Sequence, residues 1–278
     1  MKINYFTKPA KKINEDAIFA CENFAFVLDG ATGLLKENIS PIESDASWFT
    51  SEFKEFLANN LGCLEKTIFQ IVSEGIEVVN KKYNSFEGAN NVKSRPSSGL
   101  ALFRINGENI EYFTLGDCSL IIRNDKNEIT HLILNDLPRL DKINIEKMAQ
   151  IAKEKNINVI DAREFINDDL VKTRLSQNTD NGYWILSDDK NAVNHGLYGT
   201  VPISEVKQIV GLSDGFSQIY DTFEIYTINN FMEKLYNGEK IEDLYKILFD
   251  AQNKDEFCNN FPRFKLRDDS SIFNIIFD

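Results

Sequence analysis

Histidine is nearly absent: His131 and His195 are the only two in 278 residues. Cysteine is sparse as well, with Cys21, Cys63, Cys118 and Cys258 standing singly. No Cys-x-x-Cys or His-x-x-x-His spacing occurs, which argues against a dedicated zinc site. Any metal here would be a hard cation held by oxygen. Basic side chains are outnumbered, 31 against 43 acidic, leaving a net charge of -12. A duplex or an anionic membrane surface would repel such a chain, so neither nucleic acid nor membrane is expected as a partner. No apolar run approaches the length of a transmembrane helix, and Met1 to Lys8 lacks the apolar stretch of a signal peptide. With lone cysteines and no export signal, a cytoplasmic setting is expected. Internal repeats, low-complexity tracts and Pro/Gly-rich linkers are also missing.

What is present reads as an ordinary globular chain, 42% hydrophobic and 27% charged, which excludes disorder. Phe24-Ala-Phe-Val-Leu28 is a strand-length run ending in Asp29-Gly30. From Ser44 to Leu61, and again from Ile68 to Tyr83, apolar residues recur every three or four positions, predicting two consecutive helices. Leu100 to Ile105 and Ile110 to Leu115 flank Asn106-Gly107, a hairpin signature. Ser119 to Arg123 and Ile129 to Leu134 predict a second strand pair. Residues 143–178 read as helical and charge-rich, 183–186 and 206–212 as strands, 228–252 as helical, and 271–277 as a terminal strand. Hairpins with segregated helices imply α+β rather than a doubly wound sheet. One domain is expected over 1–278.

Two Asp-Gly pairs, Asp29-Gly30 and Asp214-Gly215, each follow an apolar strand-like run. Either alone reads as a hairpin turn. Asn14-Glu15-Asp16 precedes the first run, however, and Arg267-Asp268-Asp269-Ser270-Ser271 precedes the last. Carboxylates at four strand ends would gather at one rim of a sheet sandwich, where a divalent cation relieves their repulsion.

These blocks, with Lys11-Lys-Ile-Asn-Glu-Asp16, Val27-Leu-Asp-Gly-Ala-Thr-Gly33, Ser97-Ser-Gly-Leu-Ala101, Gly116-Asp-Cys-Ser119, Leu212-Ser-Asp-Gly-Phe216 and Asp268-Asp-Ser-Ser271, resemble in order the metal-dependent Ser/Thr protein phosphatases of the 2C type, the PPM family. The resemblance implies a central antiparallel β-sandwich flanked by helix pairs on both faces. It implies two Mg²⁺ or Mn²⁺ ions bridged by Asp29. The Gly30 carbonyl, Asp214 and Asp268 then match the other ligands of one ion, and Glu15 serves the second. Asp16 is a neighbouring aspartate that supports these ligands, and Asp117 marks a weaker third metal. Lys11 occupies the place of a phosphate-binding Arg. Phosphorylated proteins and an opposing Ser/Thr kinase follow as partners.

The sequence also departs from the family. Lys11 offers a point charge in place of a bidentate guanidinium. Ala31 stands where many members carry a general-acid histidine, which leaves leaving-group protonation to water. Ser119 ends a degraded Gly-Asp-Ser-Arg block. Gln218 replaces the aspartate that would complete the third site. Segment 137–199 lacks a recognisable family flap motif and reads as a divergent helical insertion. Gly182 to Ser187 is expected in the core, and His195 on the surface. Asp168-Asp169 and Asp188-Asp189 read as solvated faces. Two alternatives remain: a non-catalytic binding or regulatory module on the same fold, and a phosphatase of small phosphate esters.

Overall fold

A computed structural model describes residues 1–31 and 38–277. Thr32 and Gly33, the end of the second sequence block, lie outside the described residues. In chain order the elements are β1 (Lys2–Lys8), β2 (Ala17–Ala20), β3 (Phe24–Ala31), α1 (Asp45–Asn60), α2 (Ile68–Tyr83), β4 (Ser97–Asn106), β5 (Asn109–Leu115), β6 (Ser119–Asn124), β7 (Ile129–Leu132), α3 (Asp136–Lys155), α4 (Asn167–Leu175), β8 (Leu197–Pro202), β9 (Val206–Leu212), α5 (Asp214–Asp221), α6 (Ile228–Tyr236), α7 (Ile241–Lys254) and β10 (Ser270–Ile276).

Two five-stranded sheets result, ordered β1-β10-β9-β6-β7 and β2-β3-β4-β5-β8, with antiparallel pairing throughout. Side chains alternate across a strand, so a strand covered on both faces must be apolar at every position. β3 meets that demand. Ala25 and Val27 point between the sheets with Ala101, Phe103, Leu120 and Phe273, while Phe26 and Leu28 point outward beneath the first helix pair.

That pair is α1 and α2, which seat Phe49, Phe53, Ile71 and Val72 on Phe26, Leu28, Leu100 and Leu102. Ser44 caps α1 by accepting from Ser47 N at 3.2 Å. Thr67 and Gln70 form a capping box at the start of α2. The opposite face carries three short helices, since the helical stretch expected over 228–252 is divided at Asn237-Gly238 into α6 and α7. Together with α5 they bury Phe216, Phe231, Leu244 and Leu248 against Val210, Leu212 and Ile272. The fold is therefore the α+β sandwich expected.

One strand expectation fails. Residues 183–186 form no ladder, only isolated bridges that pair Ser98 with Leu186 and Gln177 with Tyr183. Tyr183, Ile185 and Leu186 are nonetheless buried, so their apolar character reflects packing rather than sheet pairing. Cys118 and Cys258 are buried, whereas Cys21 and Cys63 are half-buried. Among the described residues no helix is long and apolar enough to cross a membrane.

Candidate metal centre

Five separate stretches meet at one rim of the sandwich. Asp29 lies near the end of β3, where it pairs with Gly99 of β4. A Cβ on Gly99 would fall 2.7 Å from Asp117 Oδ1, which sets Asp117 beside that pair. Gly30 is equally confined: a Cβ there would lie 2.3 Å from the Glu15 carbonyl oxygen, so only glycine permits this approach. Asp214 opens α5 and donates its N–H to Asp29 Oδ2 at 3.1 Å. A Cβ on Gly215 would fall 1.9 Å from the Asp269 carbonyl and 3.0 Å from Asp268 Cβ, which fixes the loop before β10 against the start of α5. The structure thus brings Glu15, Asp16, Asp29, Gly30, Asp117, Asp214 and Asp268 together.

Hydrogen bonds hold this arrangement. Ser213 Oγ donates to Asp16 Oδ2 at 2.7 Å, and Ser44 Oγ donates to Glu15 Oε1 at 2.5 Å. Thr50 Oγ1 donates to the Glu15 carbonyl at 2.8 Å. Asp269 accepts from Ala10 N at 2.7 Å and from Glu15 N at 2.6 Å, joining the β10 loop to the N-terminal loop. Asp268 Oδ1 accepts from Lys265 Nζ at 2.5 Å and from Asp269 N at 2.9 Å.

The electrostatics are those of crowded carboxylates. Burial first, then the charges of Asp214, Asp16 and Asp117, push Asp29 well above the usual carboxylate range. Asp214 is raised likewise, by burial and then by Asp268 and Asp117. Burial lifts Asp16 to about 8 against the bond from Ser213, and lifts Asp117 to about 6. Burial also opposes the Lys265 charge, but Asp268 and Asp214 outweigh it and raise that ammonium instead. Asp16 Oδ1 and Asp214 Oδ1 are buried without a donor.

These observations test the fit to a cation. All the donors are oxygen, two buried carboxylate oxygens lack partners, and the local charge is strongly negative, which suits Mg²⁺ or Mn²⁺. Among the described residues no three His, Cys, Asp or Glu side chains already stand close enough to enclose an ion. Asp29, Asp268 and Glu15 hold protein partners instead.

The positions that depart from the family have their own contacts. Gln218 Oε1 accepts from Gln252 Nε2 at 3.1 Å, tying α5 to α7. Ser119 Oγ pairs with His131 Nε2 at 3.0 Å. Lys11 is exposed on the loop between β1 and β2. His195 is half-buried, stacking on Trp184 with ring centroids 3.5 Å apart. Lys147 pairs with Asp169 at 2.5 Å on an exposed face, and Asp189 caps a turn by accepting from Asn191 N, consistent with solvated roles for those acids.

Three participants escaped the sequence reading. Arg174 of α4 is buried, and its Nη2 donates to the Ala31 carbonyl at 2.6 Å while Nε donates to Ser94 Oγ at 3.3 Å. Its charge opposes the rise at Asp117. Asp141 of α3 is lifted to about 7, by burial and then by Asp117, so this helix faces the rim. Lys265 sat unmarked in a polar loop.

No protein-family model matches the sequence, and no curated protein sequence matches it. Solved structures do match. The serine/threonine phosphatase PstP/Ppp of Mycobacterium tuberculosis superposes with a TM-score of 0.58 at 12% identity, covering 98% of this chain and 97% of that one. Stp1 of Staphylococcus aureus gives 0.56 at 12% identity, covering 100% and 95%. The PPM Ser-Thr phosphatase MsPP of Mycobacterium smegmatis gives 0.53 at 12% identity, covering 100% of this chain and 99% of that one. The chain has the fold of the bacterial PPM-type phosphatases.

Proposed function

We propose that this protein is a Mg²⁺- or Mn²⁺-dependent phosphatase acting on phosphoserine or phosphothreonine in proteins. The observation that carries the reading is the convergence of Asp29, Asp214 and Asp268, with Glu15, Asp16 and Asp117, at one rim where two buried carboxylate oxygens lack donors. The fold shared with Ser/Thr phosphatases supports it.

On this reading Asp29 would bridge two ions, the Gly30 carbonyl, Asp214 and Asp268 would complete one, and Glu15 would serve the other. When bound, two such cations neutralise phosphoryl charge and acidify water, the two needs of phosphate-ester hydrolysis. Asp16 and Ser213 brace the ligands. Lys11 would orient the phosphoryl oxygens as a point charge. Arg174, by holding the Ala31 carbonyl, would fix the strand end that presents Asp29 and Gly30. The wider reading is one domain over 1–278 with 137–199 inserted, a cytoplasmic setting, and an opposing Ser/Thr kinase.

One observation favours the non-catalytic alternative: Gln218 is committed to Gln252, so a third site based on Asp117 would lack its partner. Turnover of p-nitrophenyl phosphate by the EDTA-stripped protein, with Mn²⁺ restored, separates the readings. Turnover that requires the metal supports the enzyme. A folded protein that binds Mn²⁺ without turnover would leave the binding module.

A further inference from the structure

Although the chain carries a net charge of -12, one cleft is lined by cations. It holds about 380 Å³ and is bordered by Lys11, Arg163, Lys265 and Arg267, with Phe264 and Leu266 among its apolar walls. No carboxylate lines it among the described residues. The four cations come from three distant stretches: the loop after β1, the turn at 161–166 between α3 and α4, and the loop before β10. Their convergence is therefore a product of the fold and not of a local basic run.

Like charges gathered in one cleft repel, and the contacts offset this only in part. Lys265 is neutralised by Asp268. Lys11, Arg163 and Arg267 form no ion pair among the described residues. Arg163 Nε and Arg267 Nε are buried without any acceptor, a costly state for a charged donor. The Arg267 guanidinium is held in place, 4.1 Å from the Phe249 ring centroid and bonded through Nη2 to Asn253 Oδ1. Arg163 and Arg267 thus lack an anion among the described residues, and the bond between Lys265 and Asp268 sets the cleft against the carboxylate rim.

We propose that this cleft binds an anionic side chain, a carboxylate or a second phosphate, carried by the substrate peptide beside its phosphorylated residue. The substrate class is then phosphopeptides with acidic or phosphorylated flanks. The inference rests on the phosphatase reading for its link to turnover, while the anion site itself stands on the cleft. A guanidinium pairs with either group through two parallel hydrogen bonds, which suits Arg163 and Arg267.

The test compares labelled peptides with flanking Asp, flanking phosphoserine or flanking Asn by fluorescence anisotropy, using the full chain in EDTA. Acidic and phosphorylated flanks should each bind about tenfold more tightly than Asn, and the Arg163→Gln/Arg267→Gln double variant should lose most of that preference. Arg163→Lys/Arg267→Lys should keep part of it. Arg163→Gln alone gives a second route should the double variant fail to fold, and should weaken the preference severalfold. The same peptides, phosphorylated at the central serine and assayed with Mn²⁺, should show an equal ordering in kcat/KM. Preferential binding lost in the variants but with no turnover would sustain the cleft and sink the phosphatase reading. Turnover with equal binding and equal kcat/KM across the three flanks would overturn the cleft and leave that reading intact.

Discussion

The backbone N–H of Asp214 donates to Oδ2 of Asp29 at 3.1 Å, across 185 residues of sequence. Asp29 lies near the end of a strand of one sheet and Asp214 begins the helix that leaves β9 of the other, so this bond joins the two halves of the sandwich at the carboxylate rim. The same amide that opens α5 also places a partial positive charge beside a buried carboxylate.

If Asp214 and Asp29 hold a cation together, removing either should abolish turnover. Asp214→Ala is expected to lower kcat by about 10²-fold or more, equivalent to roughly 2.7 kcal/mol of lost transition-state stabilisation. Asp117→Ala should cost less, because Gln218 is engaged with Gln252 where a further ligand would be needed. Steady-state rates on folded mutants, checked by circular dichroism, decide this. Equal losses would make Asp117 as essential as Asp214.

The raised carboxylates set a pH dependence of stability. Asp29 and Asp214 lie well above the ordinary range, Asp117 at about 6 and Asp16 at about 8. The folded chain therefore holds protons that the unfolded chain has released. This contribution is complete below the unfolded value of about 3.9 and is lost as pH rises through about 6 and about 8. In EDTA the melting temperature should fall across that window. Mg²⁺ should restore it most at the upper end, since binding replaces protons. Asp16→Asn, which cannot ionise, should flatten the fall. A melting temperature in EDTA that is constant or rising over the window would contradict the assignment.

Lys11 is exposed and free to reach a phosphoryl group, so its loss should act on binding and not on stability. Lys11→Ala is expected to raise KM for a phosphopeptide several-fold with an unchanged melting temperature. Lys11→Arg should match or better the wild type, because a guanidinium grips two oxygens. Wild-type kcat/KM in Lys11→Ala would remove this residue from the site.

Packing at Gly30 gives a prediction independent of activity. A Cβ there meets the Glu15 carbonyl at 2.3 Å and Thr50 Cγ2 at 3.0 Å, with rigid backbone on one side. Gly30→Ala should destabilise the fold by about 1–3 kcal/mol by overpacking. Gly62→Ala, whose Cβ would have only Phe24 Cε1 nearby at 3.9 Å, should be nearly neutral. Denaturant unfolding of both variants measures the difference.

How much of this was legible in the sequence depended on whether the signal was local. Strand β3 was readable because both its faces are covered, leaving five consecutive apolar residues before Asp29. The carboxylate blocks were readable because each directly adjoins a strand. Arg174 was not: it sits in the charge-rich helix Asn167–Leu175, and its burial depends on Ala31 and Ser94, 143 and 80 residues away. Residues 183–186 misled for the opposite reason, since a buried apolar run looks alike whether or not its backbone joins a ladder. Gln218 was legible as a missing ligand, but its bond to Gln252 on a separate helix was not.

If the Asp29, Asp214 and Asp268 rim hydrolyses phosphoserine with bound divalent cations, turnover must follow metal loading. Phosphate release from a phosphoserine peptide by EDTA-stripped protein, titrated with Mn²⁺, tests it directly. No release is expected without metal, release should rise and saturate with Mn²⁺, and Asp214→Ala should give none at any Mn²⁺ concentration. Release that persists in EDTA, or that Asp214→Ala sustains at the wild-type rate, would contradict it.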